Sequence, residues 1–146
     1  MINDLDPATK RWLVGQAEKI LDDAKEKDRS PKKDVLKNQA SQLRNMLQIA
    51  QRESEITVLR NFIHYQAGRK ATQKFWGAIQ VEVIDVLEEI GKRYGGEDEA
   101  STRQRRTAIQ HFFGYLVRHY FYVEFSEEKK TSGNNPPKNR VEGPRP

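Results

Sequence analysis

A chain of 146 residues has room for one domain and hardly for two. It is 32% charged and 36% apolar, carries a net charge of +5 and has a mean hydropathy of −0.90, so its core is lean, yet it is too apolar and too periodic to be disordered throughout. It holds no cysteine, which excludes disulfide frameworks, thiolate zinc sites and cysteine nucleophiles.

Pro7 and Pro31 stand where helices should begin, the other prolines crowd the C-terminus from Pro136 on, and the stretch between permits long helices. The first expected helix runs from about Pro7 to Lys27, with Asp6 as N-cap and Leu13, Ala17, Ile20, Leu21 and Ala24 as its apolar stripe. The second begins near Ser30-Pro31 or at Lys33 and reaches about Glu53. It buries Leu36, Ala40, Leu43, Leu47 and Ala50, in steps of four and three that suit helix-on-helix packing. The third, about Glu55 to Ala67, turns Ile56, Leu59, Phe62 and Ile63 inward, and Gly68 is placed to end it. The fourth, about Ala71 to Tyr94, uses Phe75, Ile79, Val83, Val86, Leu87 and Ile90 and stops at Gly95-Gly96. Inside it Val81-Glu82-Val83-Ile84 alternates in part like a strand, but no turn signal brackets it and the helical period runs straight through. The fifth extends from near Ser101 through Phe125, with Ile109, Phe112, Phe113, Leu116, Val117 and Tyr120 inward. After Ser126 there is almost nothing to bury. The expectation is an all-α fold: a compact bundle of about five helices over residues 1–128, with a disordered, flexible Pro/Gly/Lys-containing C-terminal tail over 129–146.

The opening residues Met1 to Asp6 lack the basic-then-apolar layout of a signal peptide, and the longest apolar run, Phe112 to Val117, is far too short for a bilayer. A cytoplasmic protein without membrane contact is expected. Catalytic chemistry finds no support. His64, His111 and His119 lack metal-ligand spacing, so no metal or other cofactor is expected. Glu88-Glu89 and Glu97-Asp98-Glu99 are charge runs with no partner to set one carboxyl as acid and another as base. Gly95-Gly96 follows no strand and precedes no Gly-Lys-Ser, so it is no phosphate loop. The chain reads as a non-enzyme.

Charge is laid out in blocks. Between residues 31 and 80 only Asp34, Glu53 and Glu55 oppose Lys32, Lys33, Lys37, Arg44, Arg52, Arg60, Arg69, Lys70 and Lys74. Residues 81–101 reverse the sign, with Glu82, Asp85, Glu88, Glu89, Glu97, Asp98 and Glu99 against Lys92 and Arg93. Such blocks describe a basic surface that draws phosphates and an acidic one that meets a basic neighbour, or simply solvated helix exteriors.

Three features suit RNA. Lys33, Lys37, Ser41, Arg44, Gln48 and Arg52 recur at helical spacing, a stripe without an acid that can follow a phosphate backbone. Tyr65-Gln66-Ala67-Gly68-Arg69-Lys70, continuing to Lys74, brings three cations to a helix end and a helix start, where anions are favoured. His111, Tyr115, Arg118 and Tyr122 share a stripe of the fifth helix, a pattern that stacks unpaired bases or contacts a protein partner; Tyr115, Arg118 and Tyr122 are assigned to subunit contact. Upstream, Arg103, Arg105 and Arg106 oppose the helix dipole at the start of the fifth helix, which points to a use other than stability.

Asn38-Gln39-Ala40-Ser41-Gln42-Leu43-Arg44-Asn45-Met46-Leu47, Tyr65-Gln66-Ala67-Gly68-Arg69 and the closing Phe113-Gly114-Tyr115-Leu116-Val117 resemble, in that order, the small subunit of type III-A CRISPR effector complexes (the Csm family). The resemblance covers about residues 33–125. It implies a helical bundle whose copies stack along the guide RNA–target RNA hybrid, touch mainly the target strand, face the backbone subunits of the complex and cleave nothing. It matches Arg44 and Arg69 to the family's motif arginines and Ser41, Gln42, Tyr65 and Gly68 to flanking positions. Where many members close with Ala-Tyr-His-Lys-Phe, this chain has Arg118-His119-Tyr120-Phe121-Tyr122. The expected partners are therefore guide RNA and target RNA, the other subunits and further copies of the chain, with a homodimer of the free protein left open. The expected RNA-binding residues are Lys37, Arg44, Arg52, Arg69, Lys70 and Lys74. A helical protein–protein adaptor and a DNA-binding helix-turn-helix regulator remain as alternatives.

Overall fold

Asp6 opens the first helix as its sequence requires: its carboxylate accepts from the Thr9 amide and hydroxyl, and Pro7 takes the first helical position, where no amide is missed. In the computed structural model, which describes residues 5–28 and 34–134 (side chains to 125), α1 spans Pro7–Lys27, α2 Ala40–Ala50, α3 Ile56–Gly68, α4 Gln73–Arg93 and α5 Glu99–Asn134. No strand occurs among the described residues, and Val81–Ile84 lies within α4. The all-α five-helix bundle is as expected.

Helix α5 is the spine. It packs on α1, α2 and α4, while α3 packs on α4 and α1 also touches α4. Its inward residues Ala108, Ile109, Phe112, Phe113, Leu116 and Tyr120 are fully or almost fully buried. They meet Leu13, Ala17 and Leu21 of α1, Leu43 and Met46 of α2, and Phe75, Ile79, Val83 and Leu87 of α4 in one core. Trp76 is wholly buried as well, with its indole N–H 3.3 Å from Gln42 Oε1, which holds the start of α4 against α2.

Three boundaries differ from expectation. The second helix starts at Ala40, not in the low thirties: residues 34–39 form a turn, and Ser30, Pro31 and Lys33 lie outside the described residues. Tertiary bonds explain the turn. Val35 N–H donates to Asp28, the Leu36 carbonyl accepts from Tyr120 Oη, Gln39 N–H donates back to Tyr120 Oη at 2.7 Å, and Asn38 N–H reaches Glu124. Asn38 takes φ 57°, a left-handed conformation that asparagine tolerates and a helix does not. Leu36 is buried as expected, but from the turn.

Gly68 does not end α3 by a left-handed turn; no described glycine has positive φ. The chain leaves the helix where Arg69 becomes extended, and the Thr72 hydroxyl donates to the Gln66 carbonyl at 2.6 Å. Gln66 is thereby a buried polar residue. The helical backbone of α5 runs to Asn134, beyond the end expected near Phe125. Residues 135–146, most of the expected tail, lie outside the described residues. At the end of α4, Gly95 is required: a Cβ there would sit 2.6 Å from the Gly91 carbonyl oxygen.

Candidate functional site

Lys37, Arg44, Arg52, Arg69, Lys70 and Lys74 are solvent-facing, but the stripe expected along the second helix does not form as one. Of Lys33, Lys37, Ser41, Arg44, Gln48 and Arg52, only Ser41, Arg44 and Gln48 are helical, and these three do share an exposed flank of α2. Lys37 sits in the preceding turn, Arg52 in the turn that follows, and Lys33 outside the described residues. Helix α2 contains no acid.

Arg44 leaves that flank toward α5, its guanidinium carbon 5.0 Å from the centroid of Phe121. Gln42, two residues earlier and so about 200° around the helix, points to Trp76 of α4. Arg44 is therefore on the α5 side of α2, and the cations of the α3–α4 turn are on the other. Arg69 lies over Tyr65 at 5.6 Å and donates to Gln66 Oε1 at 3.2 Å. Lys74, in the first turn of α4, stands 3.6 Å from Asp34 Oδ1. That contact brings the first turn of α4 to the 34–39 turn, which carries Lys37. Arg44 and Arg52 are eight positions apart in the chain.

The α5 stripe forms as expected. Arg118 covers Tyr115 at 5.9 Å, and Tyr115 Oη is 3.1 Å from His111 Nδ1. The His119 ring stacks on Tyr122 with centroids 5.6 Å apart and planes at 26°, and its Nε2–H donates to Asp22 Oδ1 of α1 at 2.8 Å. Two open clefts flank Tyr115 and Arg118. One, about 550 Å³, lies against Val14 and Glu18 of α1; the other, about 350 Å³, against Leu47 and Gln51 of α2.

Arg44, Arg69 and Arg118 thus share one arrangement, a guanidinium laid over an aromatic ring with no ion pair to a carboxylate among the described residues. Arg93 shows the contrasting one: it covers Trp12 at 3.8 Å but is also paired with Glu89 at 3.2 Å. Two of the pairs are legible as spacing, Tyr65/Arg69 at i, i+4 and Tyr115/Arg118 at i, i+3. Arg44/Phe121 joins two helices and has no such signal.

Arg105 corrects an expectation. It is buried, 7% exposed, and its guanidinium donates to the carbonyls of Ser54 (3.0 Å), Tyr94 (2.6 Å) and Gly96 (3.0 Å). Its placement against the helix dipole serves stability after all, by clasping the α2–α3 and α4–α5 connections. Arg103 lies 3.7 Å from Glu99. In the acidic block Glu88 pairs with Arg60 at 3.0 Å, while Glu82 and Asp85 are exposed on α4.

Among the described residues no cluster of His, Asp or Glu is arranged to hold a metal ion, and no helix is long and apolar enough to cross a membrane. One strong perturbation is tied to the fold: burial, reinforced by the nearby Glu124, pushes the Tyr120 hydroxyl up to about 12. Against protein-family models, curated proteins and solved structures, the chain has no match. The family resemblance stands on its motifs alone.

Proposed function

We propose that this chain binds single-stranded RNA without cleaving it, as the small subunit of a ribonucleoprotein of the type III-A CRISPR kind, lining the guide RNA–target RNA path. The observation that carries this is the set of exposed arginines, Arg44, Arg69 and Arg118, each resting on a ring rather than neutralised by an acid. A guanidinium set beside a ring keeps its charge and its N–H fork for a phosphate. The ring beside it offers a surface to an unpaired base. Lys37, Lys70, Lys74 and Arg52 add positive charge without sequence selection, which suits a strand already chosen by base pairing. Each copy holds the strand weakly, and repetition along it multiplies the affinity.

The test is the double variant Arg44→Glu, Arg69→Glu. Both side chains are exposed, so circular dichroism and thermal unfolding stay as in the parent while RNA retention by the assembled complex is lost. Normal retention contradicts the proposal. A second function, a protein adaptor without RNA contact, is favoured by the exposed Phe121 (39%), Tyr122 (65%) and Phe125 (61%) in the C-terminal half of α5. It predicts RNA-independent, salt-insensitive association. A helix-turn-helix regulator is disfavoured, because α4 has 21 residues and is anchored in the core by Phe75 and Trp76 in its first turn.

A further inference from the structure

The α1–α5 cleft has walls of different chemistry, and they complement one nucleobase. We propose that it receives an unpaired guanine of the bound strand, a base subsite that rests on the RNA-binding function above and adds to it a preference the phosphate contacts lack. On the α5 side the cleft is lined by Tyr115, Arg118, His119 and Tyr122, on the α1 side by Val14 and Glu18. Its volume, about 550 Å³, is within the range of small-ligand sites.

Tyr122 is a platform set in advance. Its ring is backed by His119, which is itself fixed by the 2.8 Å bond to Asp22, and it remains 65% exposed. A base stacking there adds a third layer to an ordered pair and leaves little side-chain entropy to lose. Arg118 supplies a second planar surface and a positive charge for the adjoining phosphate.

Glu18 gives the choice of base. A carboxylate only accepts hydrogen bonds. Guanine alone presents two neighbouring donors, N1–H and the N2 amino group, on its Watson–Crick edge. Adenine and cytosine set a donor beside an acceptor, and uracil sets its single donor between two acceptors. The second cleft shares Tyr115 and Arg118 with the first and reaches Gln51, next to Arg52. The two adjoin at Tyr115 and Arg118, between the turn after α2 and the base subsite.

The experiment uses the full chain and labelled nine-nucleotide oligouridylates carrying a central guanosine, adenosine or abasic site, with fluorescence anisotropy at low salt. The guanosine oligomer is expected to bind about ten-fold tighter than the abasic one, the scale of a single stacked base. Tyr122→Leu, which keeps bulk on an exposed position, removes that difference and leaves abasic binding unchanged. Glu18→Gln pairs an acceptor with a donor and moves the preference from guanosine to adenosine. Equal binding of guanosine and abasic oligomers by the parent overturns the subsite while leaving the phosphate contacts standing. Failure of every oligomer to bind overturns both. A Tyr122→Leu variant that loses self-association or a protein partner, with its base preference intact, assigns this surface to protein contact and overturns the subsite as well.

Discussion

Replacing Arg105 with alanine removes the side chain that clasps the α2–α3 and α4–α5 connections. Its guanidinium makes three hydrogen bonds, to the carbonyls of Ser54, Tyr94 and Gly96. Bonds from a charged donor contribute about 1.5–3 kcal/mol each, but only a carbonyl that stays buried after the loss costs that much. Ser54 is 7% exposed, so its carbonyl loses its partner without gaining water; Gly96 is exposed and Tyr94 half-buried, so theirs rehydrate in part. One full loss and two partial ones come to about 3–4 kcal/mol. With a urea m-value of about 2 kcal/mol/M, the midpoint falls by about 1.5–2 M. Arg105→Lys keeps the charge but not the fork, and recovers only the bond to one carbonyl. Equilibrium urea unfolding followed by circular dichroism reads both variants. A shift below about 0.5 M for Arg105→Ala refutes the clasp.

Two further outcomes are expected from titratable groups. The Tyr120 hydroxyl, pushed up to about 12 mainly by burial, gives the folded state a stability that is complete below its ordinary value of 10.0 and is lost as pH rises toward 12. Urea midpoints of the parent therefore fall across that interval, whereas those of Tyr120→Phe, lower at neutral pH because Leu36 and Gln39 lose their partner, show less decline. Asp6 behaves in the opposite sense. Its carboxyl is held below the ordinary value of 3.8, first by the Thr9 hydroxyl, so its contribution is present above that value and fades as the group protonates in acid. Asp6→Ala is less stable than the parent at neutral pH, and the two converge near about pH 2; a gap that persists there contradicts the cap.

The long helices were plain in the sequence because each is paid out as an unbroken apolar period: α1 matches to the residue, and the inward faces of α4 and α5 are largely as read. What the period could not reveal was where tertiary bonds overrule it. Leu36 is in phase with Leu43 and Leu47, so a helix through both looks natural, yet Tyr120, eighty-odd positions later in the chain, captures the Leu36 carbonyl and Asn38 turns left-handed. The burial of Arg105 is not legible because nothing local distinguishes it from Arg103 or Arg106; its acceptors come from the α2–α3 and α4–α5 connections. The burial of Trp76 is hidden for a related reason, since its polar edge finds Gln42 only once α2 and α4 are packed. At the site, residue types and exposure were legible but grouping was not. Whether Arg44 shares a face with Arg69 depends on how α2 is rotated in the bundle, and it points Arg44 at Phe121 instead.

On the proposed function, arginines set beside aromatic rings and not paired with acids hold a phosphate strand. The salt dependence of binding to a single-stranded RNA tests it most directly. With about 3–5 phosphates engaged per copy, log Kobs falls against log[salt] with a slope of about −2 to −3.5, and removing Arg44 or Arg69 makes the slope shallower by about 0.7 each. A slope near zero, or one that neither arginine changes, contradicts the account.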